Sequence, residues 1–418
     1  MRLAAALLLL AIPAQAGIYR DKRPGGGLTT YTDTRTVVTT TTMPNGWSTL
    51  YPHQQKVFYA SGLYWLFYGT GTNQVYRTSA DAVTWSNATT VRAMGGSLDA
   101  HGHRIGYYHD GTYLHYAFAD AELSGDVFYR RGTLGSNGAI TWSAVEQTVT
   151  VIGAAESAGY PSVIADSNGN PWVAYTTFSG SFGTHPNTGY VVKSSATDGT
   201  WTSAAGFPHG LVTSSLVNAY PMGVALTAGK TYWAWSTTNY ISNTKPQGKR
   251  WNGTSWDVAE DLTSSETGSN LYTLVADGDA IHVVFHDETD TVKYRRRSAA
   301  GTWGSEITIS SIGGILELPV LRLISTDYVR IYWVTPTTYL VRAADVRNDR
   351  LLTAAATVRD ESAAVVTTQH PLQVGVNGNN LLVAYTTKAA SPFDIVALLQ
   401  TGTINAIPYG TAYRDRTP

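Results

Sequence analysis

The stretch Arg104-Ile105-Gly106-Tyr107-Tyr108-His109-Asp110-Gly111-Thr112-Tyr113-Leu114-His115-Tyr116-Ala117-Phe118-Ala119 carries the pattern that decides the fold. Two short runs rich in aromatic residues flank an Asp-Gly dipeptide. Asp-Gly accepts the positive backbone angles of a tight turn, so the stretch reads as a β-hairpin. The same unit recurs on both sides of it, around Ser61-Gly62, Asn168-Gly169, Ala228-Gly229, Asp277-Gly278, Ser325-Thr326 and Gly378-Asn379. Counted from the second residue of each pair, the seven turns stand 49, 58, 60, 49, 48 and 53 residues apart. That period suits a four-stranded blade with loops of varied length.

Two further series keep step with the turns. Trp85, Trp142, Trp201, Trp256 and Trp303, each preceded by Thr or Ser, are expected to open the outer strand of five blades. Upstream of the turns stand Tyr51-Pro52, Tyr160-Pro161, Tyr220-Pro221, Leu318-Pro319 and His370-Pro371, with His101-Gly102 and Leu271-Tyr272 in the corresponding places. Together they predict an all-β fold: a single seven-bladed β-propeller of four-stranded antiparallel blades. The seventh blade, starting near His370, runs out of chain after three strands. The threonine-rich segment Arg35 to Thr42 is placed to supply the fourth, leaving no sheet edge open.

Composition agrees. Among 418 residues, 40 Gly, 26 Tyr and 12 Trp accompany only 14% charged side chains, which excludes disorder and coiled coil. Thirty acidic residues against 29 basic ones leave a net charge of −1, too weak a field to recruit nucleic acid or an anionic membrane. No cysteine is present, so disulfides, thiolate metal sites and cysteine nucleophiles are excluded. Arg2, the apolar run Leu3 to Ile12 and Ala14-Gln15-Ala16 read as a secretory signal over residues 1–16. A secreted, monomeric product, extracellular or periplasmic, is therefore expected from residues 17–418, with 17–45 as closing segment and the tail 404–418 unassigned.

The segments Ser79-Ala80-Asp81-Ala82-Val83-Thr84-Trp85, Ser195-Ala196-Thr197-Asp198-Gly199-Thr200-Trp201 and Ser298-Ala299-Ala300-Gly301-Thr302-Trp303 resemble degenerate Asp-boxes, the turn repeats of sialidase-like propellers. Asp99-Ala100-His101-Gly102-His103, continuing through Asp110-Gly111 and His115 to Tyr129-Arg130-Arg131, is similar to the bacterial neuraminidase-type repeat proteins that include propeller polysaccharide lyases. The resemblance implies a secreted carbohydrate-active propeller, acting on a uronate-containing polysaccharide by β-elimination. A glycan-binding, lectin-like propeller and a sialidase-like hydrolase are the alternatives. A sialidase is disfavoured because Tyr51-Pro52-His53-Gln54 lacks the arginine expected at the first blade's start.

Blade topology assigns the site. The innermost strand starts at one face beside the axis, and the loop joining the second and third strands returns there. His101 and His103, two imidazoles on one side of a strand, and Tyr160 are the candidate catalytic residues. His53, Arg104, His115, His185, Tyr220 and Tyr240 are the candidate substrate-binding residues. The resemblance to the lyases implies a histidine, His101 or His103, as base or carboxylate neutraliser and Tyr160 as acid. The resemblance also implies an arginine where this chain has Thr176-Thr177, so Arg104 or a histidine would have to replace it. No cofactor is implied, and no metal, since the histidine spacing matches no dedicated zinc motif. Asp166-Ser167-Asn168-Gly169-Asn170 imitates a calcium loop without its distal glutamate and reads as a turn. Arg77, Arg130, Arg131, Lys193, Lys249, Arg250, Arg295 and Arg342 recur late in third strands and read as solvated blade edges.

Overall fold

The computed structural model describes residues 31–43, 48–49, 51, 54–94, 104–119, 125–152, 156–179, 187–214, 219–236, 245–264, 267–287, 291–311, 319–335, 340–352, 356–360, 373–377, 380–387 and 392–402. They form seven antiparallel sheets and, among the described residues, no α-helix. The innermost strands are Val57–Ala60, Ile105–His109, Glu156–Ala165, Met222–Ala225, Thr267–Asp277, Val320–Ser325 and Gln373–Asn377. In the first six blades each is followed by a second strand across the expected hairpin and then by a third and an outer strand, and in the seventh by a second and a third. In the second and sixth blades the outer position is split between two short pieces.

The hairpins form where small or turn-forming residues accept positive φ, as at Gly111 (102°), Gly169 (82°) and the pair Ala228 (56°) and Gly229 (70°). Asp166 holds its turn as expected: its carboxylate accepts the N–H groups of Asn168 and Asn170 and the Trp172 indole N–H, at 2.9, 3.1 and 3.0 Å.

Every blade is covered on both faces, so its second strand is a continuous apolar run rather than an alternating one. In Leu63–Gly69, Tyr64, Leu66 and Tyr68 face the seventh blade, while Trp65 and Phe67 face the second. One apolar cluster fills each of the seven seams, including Val57 and Leu66 against Leu382 and Ile395 between the first and seventh blades. The seventh sheet takes strands from both ends of the described chain. Tyr31–Thr41 pairs antiparallel with Phe393–Gly402, outside Asn380–Thr387 and Gln373–Asn377. This strand begins four residues earlier than the segment expected from sequence. The expected signal segment 1–16, the start of the seventh blade at His370 and the tail 404–418 lie outside the described residues.

Two expectations are corrected. Trp85, Trp201, Trp256 and Trp303 do not open outer strands, which begin several residues later at Thr89, His209, Glu260 and Ile307. Nor are the third-strand cations fully solvated: seven of the eight are half-buried, Arg131 is buried, and three of them hold the chain beside the tryptophan. Arg77, Arg130 and Arg295 donate to the carbonyls of Ser86, Ala144 and Gly304, just past the tryptophan, at 2.7, 2.9 and 2.8 Å. Arg130 and Arg295 also lie over the rings of Trp142 and Trp303, at 4.5 and 5.2 Å. Stacking and hydrogen bonding together pin the ring back on its own blade before the outer strand starts. The Ser79 to Trp85 turn is held from inside: Asp81 accepts the N–H groups of Val83 and Thr84 at 2.8 and 2.7 Å, bonds that draw its carboxyl down to about 2.

Candidate functional site at the propeller axis

Three tyrosines that precede proline, from the starts of the first, third and fourth blades, meet one another. The ring centroids of Tyr160 and Tyr220 are 4.4 Å apart, and Tyr51 lies 5.4 Å from the former and 5.6 Å from the latter. The second blade separates the first from the third, so such contacts are possible only beside the axis. All three rings are buried.

Each of these residues has a left-handed backbone: φ is 64° at Tyr51, 52° at Tyr160 and 43° at Tyr220. A bulky side chain before proline is disfavoured there twice over, and each such residue stores about 1–3 kcal/mol of strain. The third blade shows how the conformation arises. Gly159 pairs with Thr176 and Ser162 with Ala174, so Tyr160 and Pro161 together face Tyr175 alone. Pro161 has no N–H to give the ladder, and the resulting bulge turns the tyrosine out of the sheet.

Polar and cationic groups surround these strand starts. Gln54 donates through Nε2 to the Pro161 carbonyl at 3.3 Å, and its Oε1 accepts from Lys56 Nζ at 2.7 Å. Lys56 is wholly buried, and burial lowers its amine well below the usual lysine range. Arg104, at the start of the second blade, is 1% exposed. Tyr272, from the fifth blade, donates to the Tyr220 carbonyl at 3.1 Å.

Gly106 sets how closely the second blade approaches the bulge. A Cβ there would lie 2.8 Å from the Pro161 carbonyl oxygen and 3.4 Å from Ser162 Cα. Gly106→Ala is therefore expected to destabilise the protein by about 1–3 kcal/mol, the usual penalty of overpacking against backbone. A thermal melt checks this, and a melt equal to that of the parent would contradict the close approach.

Of the residues expected from sequence, the structure brings Tyr160 and Tyr220 into contact and places Arg104 at the same end of the ring. Tyr51, Gln54 and Lys56 were missed as site residues. Tyr51 carries a visible signal, the shared Tyr-Pro, whereas Lys56 is marked only by its charge beside the apolar run Val57 to Ala60. His53, His101, His103, His185 and Tyr240 lie outside the described residues.

His115 is a correction. It pairs with Tyr108 beside the Asp110-Gly111 hairpin, at the opposite end of the blade from Arg104 and the tyrosines. Its imidazole is buried between Asp110 Oδ2 at 2.9 Å and the Tyr129 hydroxyl at 2.8 Å. It ties its blade together instead of facing the axis.

This pair predicts an acid response. Burial lowers the His115 imidazole against the pull of Asp110. Burial raises the Asp110 carboxyl, but His115 and the N–H groups of Tyr113 and Thr112 outweigh it and bring it to about 2. As pH falls, the unfolded chain takes up a proton on histidine near its usual value of about 6.5 and on aspartate near about 3.9, ahead of the folded one in both cases. Stability contributed by the pair is therefore present above about pH 6.5 and lost on acidification, the aspartate part only between about pH 4 and 2. Urea midpoints at stepped pH are expected to fall through this window, with Asp110→Asn flattening the lowest part. Equal slopes in variant and parent would contradict the assignment.

The fold and these residues define the class: a seven-bladed propeller with a tyrosine cluster and buried cations at one end of its axis. The chain matches no protein-family model and no curated protein. Among solved structures, polysaccharide lyase Uly1 is similar over 84% of this chain and 90% of its own, with 10% identity and a TM-score of 0.46. The Trypanosoma rangeli sialidase, solved with the inhibitor DANA, is similar over 75% and 56%, with 10% identity and a TM-score of 0.44. A variant of Aleuria aurantia lectin in complex with alpha-methyl-L-fucoside is similar over 72% and 96%, with 12% identity and a TM-score of 0.44. At these values, what each binds or cleaves remains a property of that protein.

Proposed function

We propose that this protein is a secreted carbohydrate-active propeller that cleaves a uronate-containing polysaccharide by β-elimination at the axis end carrying Tyr160. The observation that carries the reading is the convergence of Tyr51, Tyr160 and Tyr220, each held in a strained left-handed conformation. Strain of this kind in three matching places persists only where the surroundings over-determine it, and it concentrates at working sites. The resemblance of the Asp99 to His103 segment and of Tyr160-Pro161 to propeller lyases supports the same place.

In this reaction a base removes the proton beside the uronate carboxylate, a cation neutralises that carboxylate, and an acid protonates the departing glycosidic oxygen. His101 or His103 is the base. A phenol is protonated at neutral pH and suits the acid role, taken by Tyr160. Arg104 takes the neutralising role, in place of the arginine that the resemblance implies at Thr176-Thr177. His53, His185, Tyr220 and Tyr240 hold the chain of sugars.

A second reading has its own support. Thr176 and Thr177 are both buried and neither supplies a cation, and a glycan-binding propeller needs no neutraliser. Incubation with a panel of uronate-containing polysaccharides separates the two. Elimination creates a conjugated double bond read by ultraviolet absorbance, and binding is read in parallel by affinity electrophoresis. Rising absorbance is expected; binding without absorbance favours the glycan-binding module, and neither signal overturns both.

A further inference from the structure

The opposite end of the ring holds a second constellation. In the second blade, Asp110 closes the inner strand, His115 follows on the second strand, and Tyr129 and Arg131 follow on the third, with His115 paired to Arg131 across the ladder. The fifth blade repeats the set as Asp277, His282, Tyr294 and Arg296, with His282 paired to Arg296. In both, one imidazole nitrogen meets the tyrosine hydroxyl, at 2.8 Å in the second blade and 2.6 Å in the fifth.

The two copies differ at the other nitrogen. In the second blade His115 Nε2 is bonded to Asp110, and Arg131 reaches the carbonyl of Thr197 in the third blade. In the fifth blade His282 is 0% exposed and its Nε2 has no hydrogen-bond partner. The sixth blade instead brings a second carboxylate: Asp327, whose N–H donates to Asp277 Oδ2 at 2.8 Å, stands with Asp277 and His282 so that one ligand atom from each lies within 4.8 Å of the others. Arg296 turns to the sixth blade as well, with Nη2 2.5 Å from Asp327 Oδ1 and Nη1 3.6 Å from Asp349 Oδ2. Three carboxylates against one guanidinium leave surplus negative charge around a buried, unpartnered imidazole nitrogen.

We propose that Asp277, His282 and Asp327 bind a divalent cation of the Zn²⁺ or Mn²⁺ type, bridging the fifth and sixth blades. One imidazole with two carboxylates is a donor set for such ions. The Tyr294 hydroxyl donates to Asp349 Oδ1 at 3.4 Å, so its oxygen is placed to accept from Nδ1–H, the arrangement that leaves the Nε2 lone pair for the ion, as an outer partner of a metal-bound histidine does. Metal–ligand distances of about 2.0–2.2 Å require the three groups to close by about 1 Å. Asp327 sits on the partly exposed hairpin after Ser325, where a turn of its side chain that exchanges the Arg296 contact for the ion supplies the movement. The second blade, with its single carboxylate already bonded to the histidine, binds no ion.

The test uses the full chain, stripped with a chelator and titrated with Zn²⁺, Mn²⁺ or Mg²⁺ alone, by calorimetry and thermal melting. The parent is expected to take one equivalent of Zn²⁺ or Mn²⁺ and to melt higher when loaded. Asp327→Asn, on the hairpin and therefore compatible with folding, is expected to weaken binding by about tenfold or more. His282→Gln is expected to abolish it, and Asp110→Asn to leave it unchanged. No binding by the parent, or binding that Asp327→Asn leaves intact, overturns the proposal.

Discussion

Deleting residues 17–45 is expected to unfold the whole ring, not merely one blade. The segment contains Tyr31–Thr41, paired over ten residues with Phe393–Gly402. Without it that strand, whose Ile395, Val396, Ala397 and Leu398 are buried, becomes an unpaired apolar edge. Each ladder hydrogen bond contributes about 0.5–1.5 kcal/mol net, so losing the row approaches the about 5–15 kcal/mol that stabilises a whole domain.

The segment is also wired to its neighbours. Asp33 Oδ1 accepts from Gln400 Nε2 at 2.9 Å, and Gln400 Oε1 accepts from the hydroxyl of Tyr332 in the sixth blade at 2.5 Å. Arg330 Nε donates to that same hydroxyl at 2.9 Å and its Nη1 meets the buried Asp345 carboxylate at 2.8 Å. On the other side, Thr41 Oγ1 donates to the Gly69 carbonyl of the first blade at 3.0 Å. Deletion removes the Asp33 and Thr41 ends of this network, weakening the seventh blade at its borders with the sixth and the first, and a ring weakened at its seams loses support at the rest. Circular dichroism melts and limited proteolysis read the result; a truncated chain that melts with the parent shows that the strand does not hold the ring.

Tyr160→Phe is expected to lower the rate of polysaccharide elimination by about 10²- to 10⁴-fold while leaving binding nearly unchanged, because general-acid catalysis supplies a factor of this size. The substitution keeps the ring that lies 4.4 Å from Tyr220, 5.4 Å from Tyr51 and 6.0 Å from Phe178, so the aromatic cluster persists and only the hydroxyl is lost. In a glycan-binding module the same change removes one hydrogen bond, about 0.5–1.5 kcal/mol of affinity, and no turnover exists to lose. Initial rates from ultraviolet absorbance and affinities measured on the same preparations distinguish the two. A variant that turns over like the parent removes Tyr160 from the acid role, and His103→Ala then tests the neighbouring blade.

The axis site and the proposed cation site lie at opposite ends of the blades. Within one blade the start of the inner strand and its hairpin to the second strand are at opposite ends by construction, which separates Tyr160 from the Asp277 to Ala280 hairpin. Activity assays and metal titrations therefore report on different groups. The Asp110→Asn variant serves as the internal control for the cation site and as the acid-stability variant of the second blade.

Much of the architecture is readable from local chemistry. The Asp110-Gly111 and Asn168-Gly169 dipeptides specify turns because only certain residues accept positive φ, and the recurrence of such turns every 48 to 60 residues counts the blades. Aromatic second strands such as Leu63–Gly69 declare burial on both faces. The Tyr-Pro pairs mark where an inner strand begins or, at Tyr160-Pro161, bulges, since proline interrupts a ladder. What the chain alone does not reveal is which of these local units meet. His115 and His282 occupy similar local patterns, yet one is bonded to its own aspartate and the other faces Asp327, a carboxylate that arrives across the seam from the next blade. Tyr51, Tyr160 and Tyr220 stand far apart in the chain and touch only because closing a ring brings every inner strand to one axis. Hydrogen bonding and backbone sterics act between near neighbours and are written in the sequence; seams and axis are products of closure, and only the tertiary structure decides what they bring together.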